Sequence, residues 1–301
     1  MTLNRRNILS LIRTALREDA AARDVTSRAV IPPSARIRAK IIAKAAGILA
    51  GGPVAVWTFQ AVDRSLRCTL KRRDGAHVTK GQTILTVEGR ARSIFAAERT
   101  ALNLLGHLSG IATFTQEFVR RTRGTRAKIF DTRKTLPGLR LLEKYAVRVG
   151  GGQNHRVGLS DAILIKTNHL RLLARGTGNG KRETGKSAMK MVVQKAIRQT
   201  KQHHPGRPVE VEVRTIPEFR EALAAKPAII MLDNWVISSV KTAVRLRSSV
   251  SHAPFPMPLL EVSGGVTLAN IRAIAKTGVD RISIGRVTHS APSLDMSLEV
   301  A

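Results

Sequence analysis

The sequence predicts an α/β protein whose second half forms a parallel sheet, either closed as an incomplete barrel or open as a doubly wound sheet. Two observations predict it. From about residue 128, short apolar runs alternate with helical stretches, and parallel strands need helical crossovers of this kind. About six such runs are present, fewer than the strands of a complete α/β barrel: KIFDTRK, AILIK, VEVEV, AIIMLDN, LLEVSGG and RISIG.

The N-terminal part mixes helices and strands. Its first helix carries apolar residues at helical spacing, which favours an amphipathic helix over a basic transit peptide: Ile8, Leu9, Ile12 and Leu16. Apolar and polar residues alternate as in a strand in ARIRAKIIAKAAGILAGG, which ends at glycines. A turn-rich pair of strands is predicted in DGAHVTKGQTILTVEG. A long helix follows in SIFAAERTALNLLGHLSGIATFTQEFVRRT, and we expect a break in it near Gly106 to Gly110.

Length and composition indicate an ordinary globular protein. A chain of 301 residues suggests about two domains. Its single cysteine, Cys68, excludes an internal disulfide framework and favours a reducing compartment. No apolar run approaches the roughly 20 residues that cross a bilayer, so we expect no membrane association and a cytoplasmic location.

The chain is strongly basic. It has 51 Lys and Arg against 21 Asp and Glu, which gives a formal charge of +30. Such an excess attracts nucleic acids, acidic surfaces and anionic substrates alike. The cations are scattered, and aromatic residues, the usual stacking platforms of single-strand binders, make up only 3%. Nucleic acid is therefore not the expected partner, although the charge keeps a nucleic-acid-binding role as an alternative.

Polar or charged residues stand at or near the C-terminal end of nearly every strand predicted in the second half. Since the carboxyl ends of parallel barrel strands form the active site, we expect these residues to line one. They are Arg133 and Lys134, Lys166, Glu212, Asp233, Ser263-Gly264-Gly265, and Gly285.

The charged residues near these ends separate by sign. Arginine forks and lysine ammoniums bind carboxylates and phosphates, so the cations predict a small, highly anionic substrate: Arg133, Lys134, His155, Arg156 and Lys166. Glu212 and Asp233 are the opposite set. Carboxylates among cations either form ion pairs or hold a divalent metal such as magnesium, which prefers one or two carboxylates together with substrate phosphates.

The glycines after the later strands predict phosphate binding. Small residues let the backbone approach a ligand, and a helix N-terminus after Ser263-Gly264-Gly265, with Thr267 as its N-cap, offers free N–H groups. By contrast, GKRETGKS at 180–187 matches the P-loop pattern but follows no buried strand, so we interpret it as accidental.

Long stretches of the chain resemble the quinolinate phosphoribosyltransferase family, also called nicotinate-nucleotide pyrophosphorylase (carboxylating). The resemblance covers nearly the whole chain in order. It is carried by ALREDAAARDVTSRAVIP, AAERTALNLLGHLSGIAT, DTRKTLPGLRLLEKYAVRVGGGQNHRVGLSDAILIKTNH, VEVEV, IIMLDN, EVSGGVTLANIRAIAKTGVDRISIG and THSAPSLDMSL.

The resemblance implies a type II phosphoribosyltransferase architecture. An N-terminal α/β sandwich domain over 1–115, to which the tail 288–301 returns, would accompany an incomplete, about six-stranded α/β barrel over 116–287. It implies the decarboxylating transfer of phosphoribose from phosphoribosyl pyrophosphate to quinolinate, in NAD biosynthesis, with Mg2+ as cofactor. A homodimer or higher oligomer is implied too, in which Arg99 reaches the neighbouring site.

The resemblance also implies roles for individual residues. Those matching the quinolinate-binding positions are Arg99, Arg133, Lys134, His155, Arg156 and Lys166, with Lys134 also catalytic. Glu212 and Asp233 match catalytic acids near the ribose hydroxyls and magnesium. Phosphate-binding positions are matched by Ser263, Gly264, Gly265, Gly285 and His289.

Three residues depart from the family pattern, and two of them, Thr167 and Arg214, add positive or remove negative charge. Thr167 stands where an acid is frequent, Arg214 follows VEVEV where an acidic or neutral residue is common, and Gln153 replaces a frequent histidine. GTGNGKRETGKS, within 175–187, looks like an insertion. A related enzyme acting on another anionic substrate is therefore the nearest alternative, although the relative found with molybdate-transport genes typically lacks the lysine present here as Lys166.

Overall fold

The computed structural model describes residues 3–175, 192–250 and 256–301. The P-loop-like stretch at 180–187 lies outside these residues. The chain divides into two compact units, each built from separate parts of the sequence. The first unit comprises Met1–Glu117, Lys134–Asn154 and Gly285–Ala301, and the second comprises Phe118–Arg133 and His155–Ile284. No helix in the described parts of the chain is both long and apolar enough to span a membrane.

The first unit combines helices with a four-stranded antiparallel sheet. The sheet order is β12-β1-β5-β3, so the last strand of the chain lies beside the first. Its elements are α1 (Arg5–Glu18), α2 (Val25–Val30), β1 (Arg36–Ala43), β2 (Gly47–Ile48), α3 (Gly52–Val62), β3 (Arg67–Leu70), β4 (His77–Val78), β5 (Thr83–Arg90), α4 (Ala91–Arg121), α5 (Arg140–Val149), α11 (Arg286–His289) and β12 (Met296–Val300).

The core of the first unit lies against one face of this sheet. Alternate residues of β1, including Ala39 and Ile41, are fully buried, while Arg38 on the other face is exposed. The first helix is amphipathic as predicted, with Ile8 and Ile12 among its buried residues. Period-2 burial in strands and period-3.6 burial in helices explain both patterns.

The turn-rich strands β4 and β5 do not pair with each other, so the predicted pair is wrong. β4 pairs with β2, whereas β5 lies between β1 and β3 in the main sheet. The connection between them turns at Gly81, whose φ of +83° is one that glycine adopts without strain. This turn directs β5 into a different sheet.

The long helix α4 is continuous, so the predicted break near Gly106 to Gly110 is also wrong. Its glycines serve close packing instead. A Cβ on Gly106 would lie 2.9 Å from the Leu294 carbonyl oxygen, and a Cβ on Gly110 would lie 2.0 Å from that of Pro292. Without side chains at these positions, the C-terminal segment lies directly on the helix, and Leu294 N–H donates to the Gly106 carbonyl over 3.0 Å.

The second unit contains a six-stranded parallel sheet, which confirms the predicted α/β class. The strand order is β6-β11-β10-β9-β8-β7, with every neighbouring pair parallel. Its elements are β6 (Lys128–Phe130), β7 (Ile163–Ile165), α6 (Thr167–Arg175), α7 (Val192–His203), β8 (Val209–Val213), α8 (Ile216–Ala225), β9 (Ile229–Asp233), α9 (Ile237–Ser249), β10 (Leu259–Ser263), α10 (Ile271–Ala275) and β11 (Arg281–Ser283).

Candidate active site

The carboxyl ends of the parallel strands lie at one edge of the second unit's sheet. Glu212 is the penultimate residue of β8, Asp233 ends β9, Ser263 ends β10 and Lys166 directly follows β7. Strand registers place these ends side by side, for example Ser263 opposite Asp233. The predicted strand-end residues Lys166, Glu212, Asp233 and Ser263 therefore stand at the ends of neighbouring strands.

Two arginines are crowded at this edge. Burial, followed by the nearby charge of Arg133, lowers the pKa of Arg156 below its ordinary value. One Arg156 nitrogen, Nη1, donates to the Ala162 carbonyl over 3.0 Å, which fixes the side chain. The Nε atom of Arg133 is buried and has no hydrogen-bond partner among the described residues. Two close cations, one with an unused buried donor, favour a bound anion.

Both ring nitrogens of His155 face protein groups. The Nδ1 atom accepts the backbone N–H of Arg156 over 2.8 Å, so the ring proton of the neutral form lies on Nε2. That Nε2 lies 3.0 Å from a carboxylate oxygen of Glu210 and 3.6 Å from one of Glu261. The sequence predicts that His155 binds a substrate carboxylate, whereas in the structure its ring is directed into these acids.

His155 belongs to a buried network with Glu210, Glu261 and Arg281. Arg281 Nε lies 3.0 Å from Glu261, and its guanidinium stacks 3.8 Å above the ring of Phe130. Burial, and then the Glu210 charge, raise the pKa of Glu261. Burial lowers the pKa of His155, but the hydrogen bond and charge of Glu210 outweigh it, so the net shift is upward.

Sequence reasoning did not assign Glu210, Glu261 or Arg281 to the site. The period-2 alternation of VEVEV puts Glu210 and Glu212 on the same face of the strand, and this is the signal by which Glu210 could have been found. The three ligand atoms of His155, Glu210 and Glu261 lie within 4.8 Å of one another, as metal ligands would. Because Arg281 already compensates Glu261, we interpret the network as ion-paired support beneath the site.

Glu212 and Asp233, hereafter the acid pair, each accept hydrogen bonds from a neighbouring side chain. Thr167 donates to Glu212 Oε1 through its hydroxyl over 2.5 Å and through its backbone N–H over 3.3 Å. Arg214 donates to Asp233 Oδ2 through Nε over 3.1 Å and through Nη2 over 2.8 Å. Both donors are departures from the family pattern, and neither was predicted to contact the acids.

The Ser263-Gly264-Gly265 turn is half-buried at its first two residues and exposed at Gly265. Gly264 has a φ of +85°, and a Cβ there would lie 2.2 Å from Asn234 Oδ1, so only glycine fits. Gly265 also has a positive φ, +61°, and nothing lies within 4 Å of where its Cβ would be. This open position lets a ligand reach the main chain closely.

Thr267 forms the side-chain bonds of a helix N-cap, as predicted, and its carbonyl accepts the Ile271 N–H over 3.0 Å. Its hydroxyl accepts the Asn270 N–H over 3.3 Å, and Asn270 Oδ1 accepts the Thr267 N–H over 2.8 Å. These reciprocal bonds close a turn, and the short helix α10 begins only at Ile271. Because the helix that follows has only five residues, phosphate binding here would depend mainly on the glycine turn.

The remaining predicted residues belong to the first unit. Arg99 is exposed on α4. Lys134 is exposed, and its carbonyl accepts the Thr288 hydroxyl over 2.6 Å, which joins it to α11. Gly285 immediately precedes α11, and exposed His289 ends it. One cation and two predicted phosphate positions are thus grouped around α11.

Comparison with known proteins identifies two matching family domains that together span most of the chain. Residues 111–299 match "Quinolinate phosphoribosyl transferase, C-terminal domain", and residues 24–109 match the N-terminal domain of the same family. The boundary between the two matches lies within α4.

Full-length relatives and solved structures agree with the domain matches. The chain is 41% identical over 292 residues to "Nicotinate-nucleotide pyrophosphorylase [carboxylating]" of Mycobacterium leprae, covering 96% of this chain and 95% of the relative. A probable enzyme of the same name from Bacillus subtilis is 38% identical and covers 99% and 95%. The structure of the nicotinate-nucleotide pyrophosphorylase from Francisella tularensis superposes with a TM-score of 0.87 at 37% identity, covering 100% and 98%.

Proposed function

The chain belongs to the quinolinate phosphoribosyltransferase family, and on that basis we propose how its residues divide the work of the reaction. The enzyme transfers phosphoribose from phosphoribosyl pyrophosphate to quinolinate with decarboxylation, in NAD biosynthesis. The observation that carries our assignment is the crowding of Arg133 and Arg156, where the former retains an unused buried donor. A dicarboxylate would neutralise both cations.

Quinolinate is bound by the cations of the site. Arg133 and Arg156 each offer a planar fork that grips one carboxylate through parallel hydrogen bonds, while Lys134 and Lys166 add compact charges. His155 supports this set by accepting the Arg156 backbone N–H, which fixes the base of that side chain. Arg99 completes the pocket from the neighbouring subunit of a homodimer, a role that its exposure on α4 permits.

Phosphoribosyl pyrophosphate occupies the other side of the site. The acid pair orients the ribose hydroxyls by accepting hydrogen bonds from them. The open backbone at Gly265 approaches the phosphates. Ser263, Gly285 and His289 contribute further phosphate contacts.

The acid pair fits Mg2+ as a donor set. The contacts from Thr167 and Arg214 leave Glu212 Oε2 and Asp233 Oδ1, two carboxylate oxygens at neighbouring strand ends. Magnesium takes such oxygens together with substrate phosphates and waters. When bound, the ion would neutralise pyrophosphate charge.

In the reaction, the pyridine nitrogen forms a bond to ribose C1 while the bond from C1 to the pyrophosphate oxygen breaks. The ribose gains oxocarbenium character, which the nearby carboxylates stabilise, and Lys134 stabilises the anionic groups. The resulting pyridinium then accepts the electron pair of the bond to the 2-carboxylate. Carbon dioxide leaves, the ring carbon takes a proton, and nicotinate mononucleotide and pyrophosphate are released. Positioning and electrostatics suffice, with no protein nucleophile.

The test is an incubation with quinolinate, phosphoribosyl pyrophosphate and Mg2+, in which nicotinate mononucleotide is followed by mass. We expect product from quinolinate, none from nicotinate alone, and strong loss in Lys166→Ala, because the strand-end ammonium faces a substrate carboxylate. Product from nicotinate alone would refute the dicarboxylate assignment. A folded protein with no product from either substrate would instead favour a related reaction on another anion.

A further inference from the structure

Arg214 lies against both members of the acid pair. Its guanidinium donates twice to Asp233 Oδ2, and the same Nη2 lies 4.0 Å from Glu212 Oε1. The two acid side chains are only 12% and 15% exposed, whereas the arginine is 46% exposed. A single cation therefore covers both carboxylates from the solvent side.

The backbone fixes where this arginine begins. Arg214 directly follows β8, and its N–H donates to Glu218 Oε2 over 2.7 Å. The next residue, Thr215, forms a capping box with Glu218 at the start of α8. Three hydrogen bonds therefore hold the backbone from which the Arg214 side chain extends. This favours a defined contact with Asp233, unlike that of an arginine on a mobile surface loop.

Charge decides what the contact does. The acid pair alone carries two negative charges, and Arg214 compensates one of them. A divalent ion at the pair would lie a few ångströms from the guanidinium and be repelled by it. A neutral or acidic residue at this position would exert no such repulsion, so the arginine changes how the carboxylates proposed for metal attract an ion.

We propose that Arg214 is the built-in counter-cation of the acid pair and makes the substrate-free enzyme a weak binder of divalent metal. This inference rests on the proposed function, because it concerns the same carboxylates. Metal then binds well only when the additional negative charge of phosphoribosyl pyrophosphate is present. Arg214 also holds Asp233 in place before the metal arrives, which makes it a positioning residue.

The test measures Mn2+ binding to the substrate-free enzyme, by the loss of the free-ion paramagnetic resonance signal and by calorimetry. The variants are Arg214→Gln, Arg214→Lys and the double change Arg214→Gln with Asp233→Asn. Arg220→Gln is the matched control, because it removes an exposed arginine from α8 of the same segment. Circular dichroism and thermal melting check that each variant is folded.

We expect Arg214→Gln to bind Mn2+ about tenfold or more tightly than the unmodified enzyme, since a unit charge close to the site is removed. The double variant should lose that gain, and both Arg220→Gln and the charge-retaining Arg214→Lys should stay close to the unmodified enzyme. Equal or weaker binding by folded Arg214→Gln overturns the inference, as does an equal gain in Arg220→Gln. If Arg214→Gln does not fold, Arg214→Met takes its place, because it also removes the charge while keeping a long side chain. Equal or weaker Mn2+ binding by folded Arg214→Met then overturns the inference.

The measurement separates this inference from the proposed function, because no substrate is present. An enzyme that makes nicotinate mononucleotide but shows no difference in Mn2+ binding refutes only the role of Arg214. An enzyme without that activity, whose Mn2+ binding nevertheless tightens in Arg214→Gln, refutes only the assigned reaction.

Discussion

Replacing Gly110 with alanine tests why α4 contains glycines at all. The added Cβ would lie 2.0 Å from the Pro292 carbonyl oxygen and 2.9 Å from Ser293 Cα, so the helix or the C-terminal segment must move. Overpacking of this kind costs about 1–3 kcal/mol, and contact with backbone favours the upper end. Alanine regains about 1 kcal/mol of helix propensity. We therefore expect a net loss of about 2 kcal/mol.

Thermal melting measures this loss. At about 2–4 °C per kcal/mol for a chain of this size class, the melting temperature of Gly110→Ala should fall by about 4–8 °C. Gly106→Ala, whose Cβ would lie 2.9 Å from the Leu294 carbonyl oxygen, should change it little, because clash and propensity nearly cancel. Gly158→Ala is the control, since nothing lies within 4 Å of its Cβ position. Gly110→Ala melting at or above the unmodified protein would refute the packing argument.

Three further predictions concern the second unit. Arg156→Lys keeps the charge but loses the two parallel N–H donors of the guanidinium, so the KM for quinolinate in steady-state kinetics should rise about tenfold or more. An unchanged KM would exclude a bidentate contact between Arg156 and a substrate carboxylate. Gly264→Ala, whose Cβ would meet Asn234 at 2.2 Å, should raise the KM for phosphoribosyl pyrophosphate, while calorimetry detects unchanged quinolinate binding. For Glu261, the unfolded chain releases the carboxyl proton near the ordinary glutamate pKa of about 4.3, whereas the folded protein keeps it up to a pKa of about 7. Between these two pKa values the folded state binds more protons than the unfolded chain, so the free energy of unfolding should fall as pH rises through this range. Urea denaturation at several pH values measures this fall against that of Glu261→Gln. The same dependence on pH in both proteins would contradict the prediction.

The sequence predicts the fold class and the position of the strand-end residues well. Both depend on local patterns. The strand IIMLD shows its apolar run directly, with Asp233 at its end, and VEVEV shows the alternation of a strand. Because all strands of the second sheet are parallel, knowing where each one ends is enough to place these residues at one edge.

The contacts within the site could not be predicted in the same way, because they depend on which strands are neighbours. Glu261 meets Arg281 only because β10 pairs with β11 inside the sheet. The glycines of α4 suggested a break for a similar reason, since the segment that packs on Gly110 comes much later in the chain. Tertiary contact determined each of these outcomes, and no local pattern encodes it.

The two departures at the acid pair act differently on its two members. Thr167 supplies neutral donors to Glu212, which satisfy one oxygen without changing the charge. The Arg214 Nη2 atom lies 2.8 Å from Asp233 Oδ2 but 4.0 Å from Glu212 Oε1, so this cation compensates the charge of Asp233 more strongly. Attraction for a metal ion depends on uncompensated charge, so Glu212 carries more of it than Asp233 in the substrate-free enzyme. Glu212 and Asp233 are both carboxylates near strand ends, but the residues that follow β7 and β8 give them unequal attraction for a metal ion.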